Sequence, residues 1–139
     1  MRLDDIDRRL LELLKQDARM SYVELGAKVG LSEAAVRRRI KKLQDEGIIK
    51  RFTVEIEVGQ GASALTLLSV MPSTPTSEVS MKIKNLPGVQ RVYEITGQYD
   101  VAVLITGSNI AEVNKCIDDI RKSKGVATTN TIIILREIT

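Results

Sequence analysis

Five of the six residues from Arg37 to Lys42 are cationic, within the stretch Val36-Arg37-Arg38-Arg39-Ile40-Lys41-Lys42-Leu43. Charge at that density can neutralise phosphates, and arginine forks can bond guanine O6 and N7 in the major groove. Val36, Ile40 and Leu43 recur at i, i+4 and i+7, which places them on one face of a helix. Ala34, Arg37, Arg38 and Lys41 share the opposite face. Arg37 and Arg38 are therefore the candidates for base contact, and Lys41 and Lys42, further along, for phosphates. Ser32 sits where it can cap the helix by accepting a backbone N–H bond, a role compatible with touching a phosphate. Arg39, beside Ile40, suits an ion pair with an acidic residue of the first helix as well as it suits DNA. Lys50 and Arg51 either add phosphate contacts or are solvated. A basic amphipathic helix is by itself commonly a solvated face, so the elements around it decide the reading.

Those elements are legible. Asp4 to Lys15 has a helical stripe of Ile6, Leu10, Leu13 and Leu14, with Asp4 as a cap and Asp5 and Asp7 near the positive end of the dipole. Tyr22 to Gly30 is a short helical pattern ended by glycine, and the basic helix runs from about Glu33 to Glu46, ending at Gly47. Leu25, Val29, Leu31, Val36, Ile40 and Leu43 continue one apolar pattern across both. Helix, Gly-containing turn and capped basic helix form the outline of a helix-turn-helix whose second helix enters the major groove of double-stranded DNA.

From Ile48 to Val58 the period changes to two, a strand or extended linker, and Gly59-Gln60-Gly61 breaks it. Residues 1–51 thus read as the DNA-binding domain, 52–61 as a linking strand or hinge, and 62–139 as a second domain. In that second part, a strand from Ala64 to Met71 precedes a helix from Ser77 to Asn85, with Val79, Ile83 and Leu86 on one face. Strands from Val89 to Thr96 and Val101 to Thr106 follow. A second helix turns Ile110, Val113, Ile117 and Ile120 inward, and a last strand runs from Val126 to Ile138. Both helices precede a Gly-Val step, where glycine suits a left-handed cap. The order βαββαβ predicts a ferredoxin-like sheet with helices on one side, so the fold class is α+β. In Thr131 to Leu135, Ile132 and Ile134 point opposite to Ile133 and Leu135, so the strand is apolar on both faces. A half-buried strand would be polar on one side. The face without helices is therefore expected to pack on a second copy of the chain, as a homodimer.

Composition limits the function classes. The chain has 139 residues, 43% apolar, with no tryptophan and one phenylalanine, so its core is built from Ile, Val and Leu. Residues 1–51 carry 13 Lys/Arg against 9 Asp/Glu, a balance of +4, and residues 52–139 carry 8 against 9, a balance of −1. No run approaches the ~20 apolar residues of a membrane helix, and the first residues lack the apolar core of a signal peptide. A lone Cys116 cannot form an intrachain disulfide and suits a reducing, cytoplasmic setting. With no histidine, no nucleophile–base pair, no acidic cluster at ligand spacing and no phosphate loop, neither a metal site nor an enzyme is expected. No cofactor is expected.

Taken together, these motifs resemble the Lrp/AsnC, or feast/famine, family of prokaryotic transcription regulators over nearly the whole chain. The resemblance rests on Leu3-Asp4-Asp5-Ile6-Asp7-Arg8-Arg9-Leu10-Leu11, Gly30-Leu31-Ser32, Val36, Arg39-Ile40-Lys41-Lys42-Leu43, Gly47-Ile48-Ile49, Leu86-Pro87-Gly88-Val89 and Thr96-Gly97-Gln98-Tyr99-Asp100. Glu33 departs from the pattern, since relatives often place proline there. It suits a helix start and brings a negative charge near DNA.

The resemblance implies a DNA-binding domain joined to an effector domain that dimerises through its sheet, often assembles into tetramers or octamers, and commonly senses an amino acid. It places the effector between dimers, at the loop from Thr96 to Asp100, with Gly97, Gln98, Tyr99 and Asp100 as the candidate residues. An amino acid needs an anion for its ammonium, which Asp100 supplies, and backbone N–H groups for its carboxylate, which Gly97 and Gln98 supply. Tyr99 walls the pocket or buries into the sheet. Thr129 and Thr131 match threonines of the family's last strand, which would make them effector-binding residues whose hydroxyls reach across a subunit boundary. By itself, a glycine-containing turn between strands is most often only a hairpin, and alternating threonines are ordinary strand formers. The sequence therefore reads as a sequence-specific regulator responsive to a small amino acid; the alternative is a global architectural DNA-binding protein with little or no ligand response.

Overall fold

The computed structural model describes residues 2–56 and 61–138. The chain divides into two compact units, Met1–Ile56 and Glu57–Thr139.

The first unit contains α1 (Asp5–Gln16), α2 (Tyr22–Val29) and α3 (Glu33–Asp45). Each begins at a side chain that satisfies an otherwise orphan N–H. Asp4 accepts from the Asp7 backbone, Ser21 from Glu24 and Ser32 from Ala35. Asp7 returns the bond by accepting from the Asp4 backbone, which completes a capping box. The apolar faces meet in a core of Leu10, Leu13, Leu25, Val36 and Ile40. Leu43 is also fully buried, and Ile49, after the turn at Gly47, packs on the same core.

Two glycines make the tight α2–α3 turn possible. Gly30 takes φ +75°, and a Cβ on Gly26 would overlap the Leu31 carbonyl oxygen. Arg39 leaves the cationic face and reaches α1, donating to Asp4 Oδ2 at 2.6 Å and Asp7 Oδ1 at 3.0 Å. The Arg39 guanidinium beside Asp4 holds that carboxyl below its ordinary value of 3.8, with the Asp7 backbone N–H acting in the same direction.

The second unit runs β1 (Ala62–Val70), α4 (Thr76–Ile83), β2 (Val89–Glu94), β3 (Val101–Gly107), α5 (Ile110–Lys122) and β4 (Val126–Ile134). The four strands form an antiparallel sheet in the order β2-β3-β1-β4, the βαββαβ arrangement expected. Register puts Ala64, Thr66 and Leu68 on the same face as Val101, Val103 and Ile105, and α4 and α5 bury that face with Val79, Ile83, Val113, Cys116, Ile117 and Ile120. Burial pushes the Cys116 thiol up from its ordinary value.

The other face carries Leu65, Leu67, Ala102, Leu104, Ile132 and Ile134, and neither α4 nor α5 covers it. Ile132 remains 50% exposed, and Tyr93 of β2, on the same face, 47%.

Of the strand or extended linker read at residues 48–58, residues 52–56 form no strand, and Phe52, Val54 and Ile56 are exposed. Several other expectations need correction. Of the proposed break at Gly59-Gln60-Gly61, the first two residues lie outside the described residues, as do Glu57 and Val58. Ile110, expected inward, is 49% exposed, because α5 starts there and its buried face is completed by Cys116 instead. The last strand ends at Ile134 rather than Ile138. Gly88 and Gly125 lie past the helix ends, in the turns that open β2 and β4, and do not cap the helices directly.

The Arg39 cluster generates a stability prediction. Asp7 is only 5% exposed, so Arg39→Ala leaves a buried carboxylate without its charged donor. The change should lower the unfolding free energy of this unit by about 2 kcal/mol, read by urea denaturation at neutral pH. A carboxyl depressed in the folded state stabilises above its unfolded value and loses that contribution as pH falls through the folded value. Asp4→Asn should therefore be destabilising at pH 7, with the deficit relative to wild type shrinking as the titration passes below 3.8.

Candidate nucleic-acid interface and effector loop

Burying Val36, Ile40 and Leu43 fixes which side of α3 meets solvent. Ser32, Ala34, Arg37, Arg38, Lys41 and Lys42 are all exposed, so the six DNA-binding candidates lie on an accessible surface that includes the helix N-terminus. They are not equivalent. Among the described residues, Arg38, Lys41 and Lys42 make no ion pair. Arg37 donates to Glu33 Oε1, and its guanidinium carbon lies 5.6 Å from the centroid of the Tyr22 ring. Ser32 is occupied as the cap of α3, with its hydroxyl oxygen 3.2 Å from the Ala35 nitrogen.

Arg39 points toward α1, in keeping with the ion-pair alternative. The engagement of Arg37 by Tyr22 and Glu33 was not read from the sequence. The i, i+4 spacing of Glu33 and Arg37 signals their pairing, whereas Tyr22 lies on another helix and only the turn brings it close.

At the β2–β3 connection, the Ile95 N–H bonds the Asp100 carbonyl at 2.9 Å and closes the turn around Gly97 and Gln98. Gly97 and Gln98 are exposed; Tyr99 and Asp100 are half-buried. Asp100 is tied to β1 twice. Its N–H donates to the Leu68 carbonyl at 2.9 Å, and its carboxylate Oδ2 accepts from the Val70 N–H at 2.8 Å. That second bond falls where the β1–β4 register shifts between Ser69 and Val70. The carboxylate assigned to an ammonium thus already holds a backbone group in place with one oxygen.

Thr129 stands opposite Leu68, which also faces Val101, so it lies at the same end of the sheet as the loop. Its Oγ1 accepts from Arg121 Nε at 3.3 Å. Thr131 is set further along, with its hydroxyl 3.0 Å from that of the buried Thr66. Both threonines lie on the helix-covered side, because their register partners Leu68 and Thr66 do. The structure brings Gly97, Gln98, Tyr99, Asp100 and Thr129 to one end of the sheet and leaves Thr131 in its interior.

The family model of the AsnC-type helix-turn-helix domain matches residues 3–44, and that of the Lrp/AsnC ligand binding domain matches residues 63–139. The chain is 46% identical over 134 residues to the HTH-type transcriptional regulator LysM of Saccharolobus solfataricus, covering 96% of this chain and 94% of that protein. Among solved structures, it resembles B. subtilis LrpC at 32% identity and TM-score 0.79, covering 100% of this chain and 99% of that one. It also resembles a feast or famine regulatory protein from M. tuberculosis complexed with L-methionine, at 27% identity and TM-score 0.89, covering 99% and 95%. No helix among the described residues is long and apolar enough to cross a membrane.

Asp100 can be tested for its structural bond alone. Asp100→Ala removes the acceptor for Val70 and should cost about 1–2 kcal/mol. Asp100→Asn keeps a carbonyl acceptor and should melt close to the wild type. Thermal denaturation followed by circular dichroism distinguishes the two.

Proposed function

The chain belongs to the Lrp/AsnC family of transcriptional regulators, and on that premise we propose a sequence-specific regulator whose assembly or DNA affinity responds to a small amino acid. It is a DNA-binding protein and not an enzyme. The observation that carries the DNA assignment is the capped helix α3, buried along Val36, Ile40 and Leu43 and cationic along its exposed side. In this reading Ser32 and Ala34 sit at the groove, Arg37 and Arg38 meet base edges, and Lys41 and Lys42 hold phosphates.

The effector proposal rests on the ligand binding domain and on the L-methionine complex of a relative. Gly97 and Gln98 offer exposed backbone for a carboxylate. Asp100 offers the oxygen that does not take the Val70 N–H, and Tyr99 and Thr129 border the same end of the sheet. Thr131, bonded to Thr66, acts in this proposal by positioning β4.

The partner for the open sheet face is a second copy of the chain. Leu65, Leu67, Leu104, Ile132 and Ile134 present an apolar surface without a helix, and a two-fold axis would let one such face cover another. Tetramers or octamers would build on that dimer, and a cytoplasmic location fits a regulator that must reach DNA.

Three measurements check this reading. In fluorescence anisotropy with the chain's own promoter region, Arg38→Ala should lose about 1–3 kcal/mol of preference over random competitor DNA. Lys42→Ala should weaken all sequences alike and lower the salt slope by about one. Binding by both variants identical to the parent across a salt titration would overturn the assignment of α3.

In calorimetry with individual amino acids, beginning with L-methionine, one should give heat with the wild type and none with the stably folded Asp100→Asn. Equal heats would remove Asp100 from the site. Ile132→Lys should shift the dimer to a monomer in sedimentation equilibrium, and an unchanged mass would place the interface elsewhere.

A further inference from the structure

We propose that Glu33 is a specificity-determining positioning residue, which holds Arg37 ready for one base and keeps it from serving as a general phosphate contact. The proposal rests on the reading of α3 as the DNA-recognition helix. Of the outward-facing cations on α3, Arg37 alone is paired among the described residues. Two helices grip it. Glu33, the first residue of α3, takes one Arg37 N–H through its carboxylate, and Tyr22, the first residue of α2, lies under the guanidinium. Tyr22 is half-buried against the three-helix core, which fixes the ring as a platform.

This grip has two consequences for recognition. A free arginine on a helix samples many rotamers and loses that freedom on binding, whereas one already held between a carboxylate and a ring loses less. Five N–H donors less the one given to Glu33 leave four, enough for a bidentate bond to guanine O6 and N7.

The second consequence is repulsive. The N-terminal residues of a recognition helix lie nearest the base edges, so the Glu33 carboxylate faces DNA and disfavours phosphates that approach without a matching base. Specificity is a difference between two affinities, and Glu33 acts on both. It readies Arg37 for the correct site and makes random DNA bind less well. The bound Arg37 therefore contributes less to the non-specific term than Arg38, Lys41 or Lys42.

The test uses the full chain as wild type, Glu33→Ala, the isosteric Glu33→Gln, and Arg37→Ala. Each is taken through selection from a random duplex library, with circular dichroism melts to show that all remain folded. The wild type should select a motif with a guanine position that Arg37→Ala flattens, and both Glu33 variants should flatten that same position. Anisotropy then compares the duplex selected by the wild type with a scrambled duplex of equal composition. Loss of Glu33 should reduce the affinity ratio about tenfold, within the range of one bidentate base contact. It should also tighten binding to the scrambled duplex, with a salt slope steeper by about one.

A merely structural role for Glu33 would move the melting temperature and leave the guanine position and the salt slope alone. An undiminished guanine position with an unchanged ratio in both Glu33 variants overturns the proposal and leaves the DNA-binding reading standing. A wild type that selects no motif overturns the sequence-specific reading and this proposal with it.

Discussion

The cationic face of α3 depends on what the opposite face buries. Arg37, Arg38, Arg39, Lys41 and Lys42 repel one another along barely two turns, and a helix with that charge has little reason to persist alone. Val36, Ile40 and Leu43 are fully buried against α1 and α2, each contributing on the order of 1.5–3 kcal/mol. Arg39 turns one of the five charges from a liability into a tie, because Asp4 and Asp7 of α1 receive it. The same two aspartates cap α1 reciprocally, so the start of the first helix and the middle of the third are held by one cluster. The exposed chemistry of α3 is thus a consequence of burial on its far side.

A parallel constraint governs the second unit. Two helices can cover only one face of a four-stranded sheet, and this sheet has apolar residues on both. Val101, Val103 and Ile105 are satisfied by α4 and α5, while Leu104 and Ile132 are not. Small turns between strands lie at the sheet ends, where backbone groups are available and where Asp100 ties β1 to the start of β3 by bonding Leu68 and Val70. The loop is tied to β1 beside the point where the β1–β4 register shifts, so a ligand at the proposed site would bear on the strand pairing.

Much of this was readable in the order of residues. Two helix starts announced themselves through Asp4 and Ser32, while the cap at Ser21 emerged only in the structure, and apolar spacing separated the buried stripe of α3 from its charged side. Alternation also gave the βαββαβ order, and the doubly apolar Thr131–Leu135 stretch pointed to a sheet with one uncovered face. At residues 52–56 the same alternation left strand and extended linker both open, because period two describes a chain able to pair and says nothing of whether an edge is within reach. Alternation also overextended β4, and helical spacing placed Ile110 inside where Cys116 is buried instead.

What the sequence by itself determined is what depends on near neighbours: caps, helical faces, strand alternation and the sign of the charge on α3. Those follow from interactions at spacings of two to four residues, which any reader of the chain can count. Only the tertiary structure decided which cations remain available. Arg39 is withdrawn by aspartates 32 and 35 residues away, and Arg37 is seated on a ring from a different helix. It likewise decided that one oxygen of Asp100 serves Val70 and that the Thr129 and Thr131 hydroxyls meet Arg121 and Thr66. Long-range partners are chosen by register and packing of whole elements, and no local spacing encodes them.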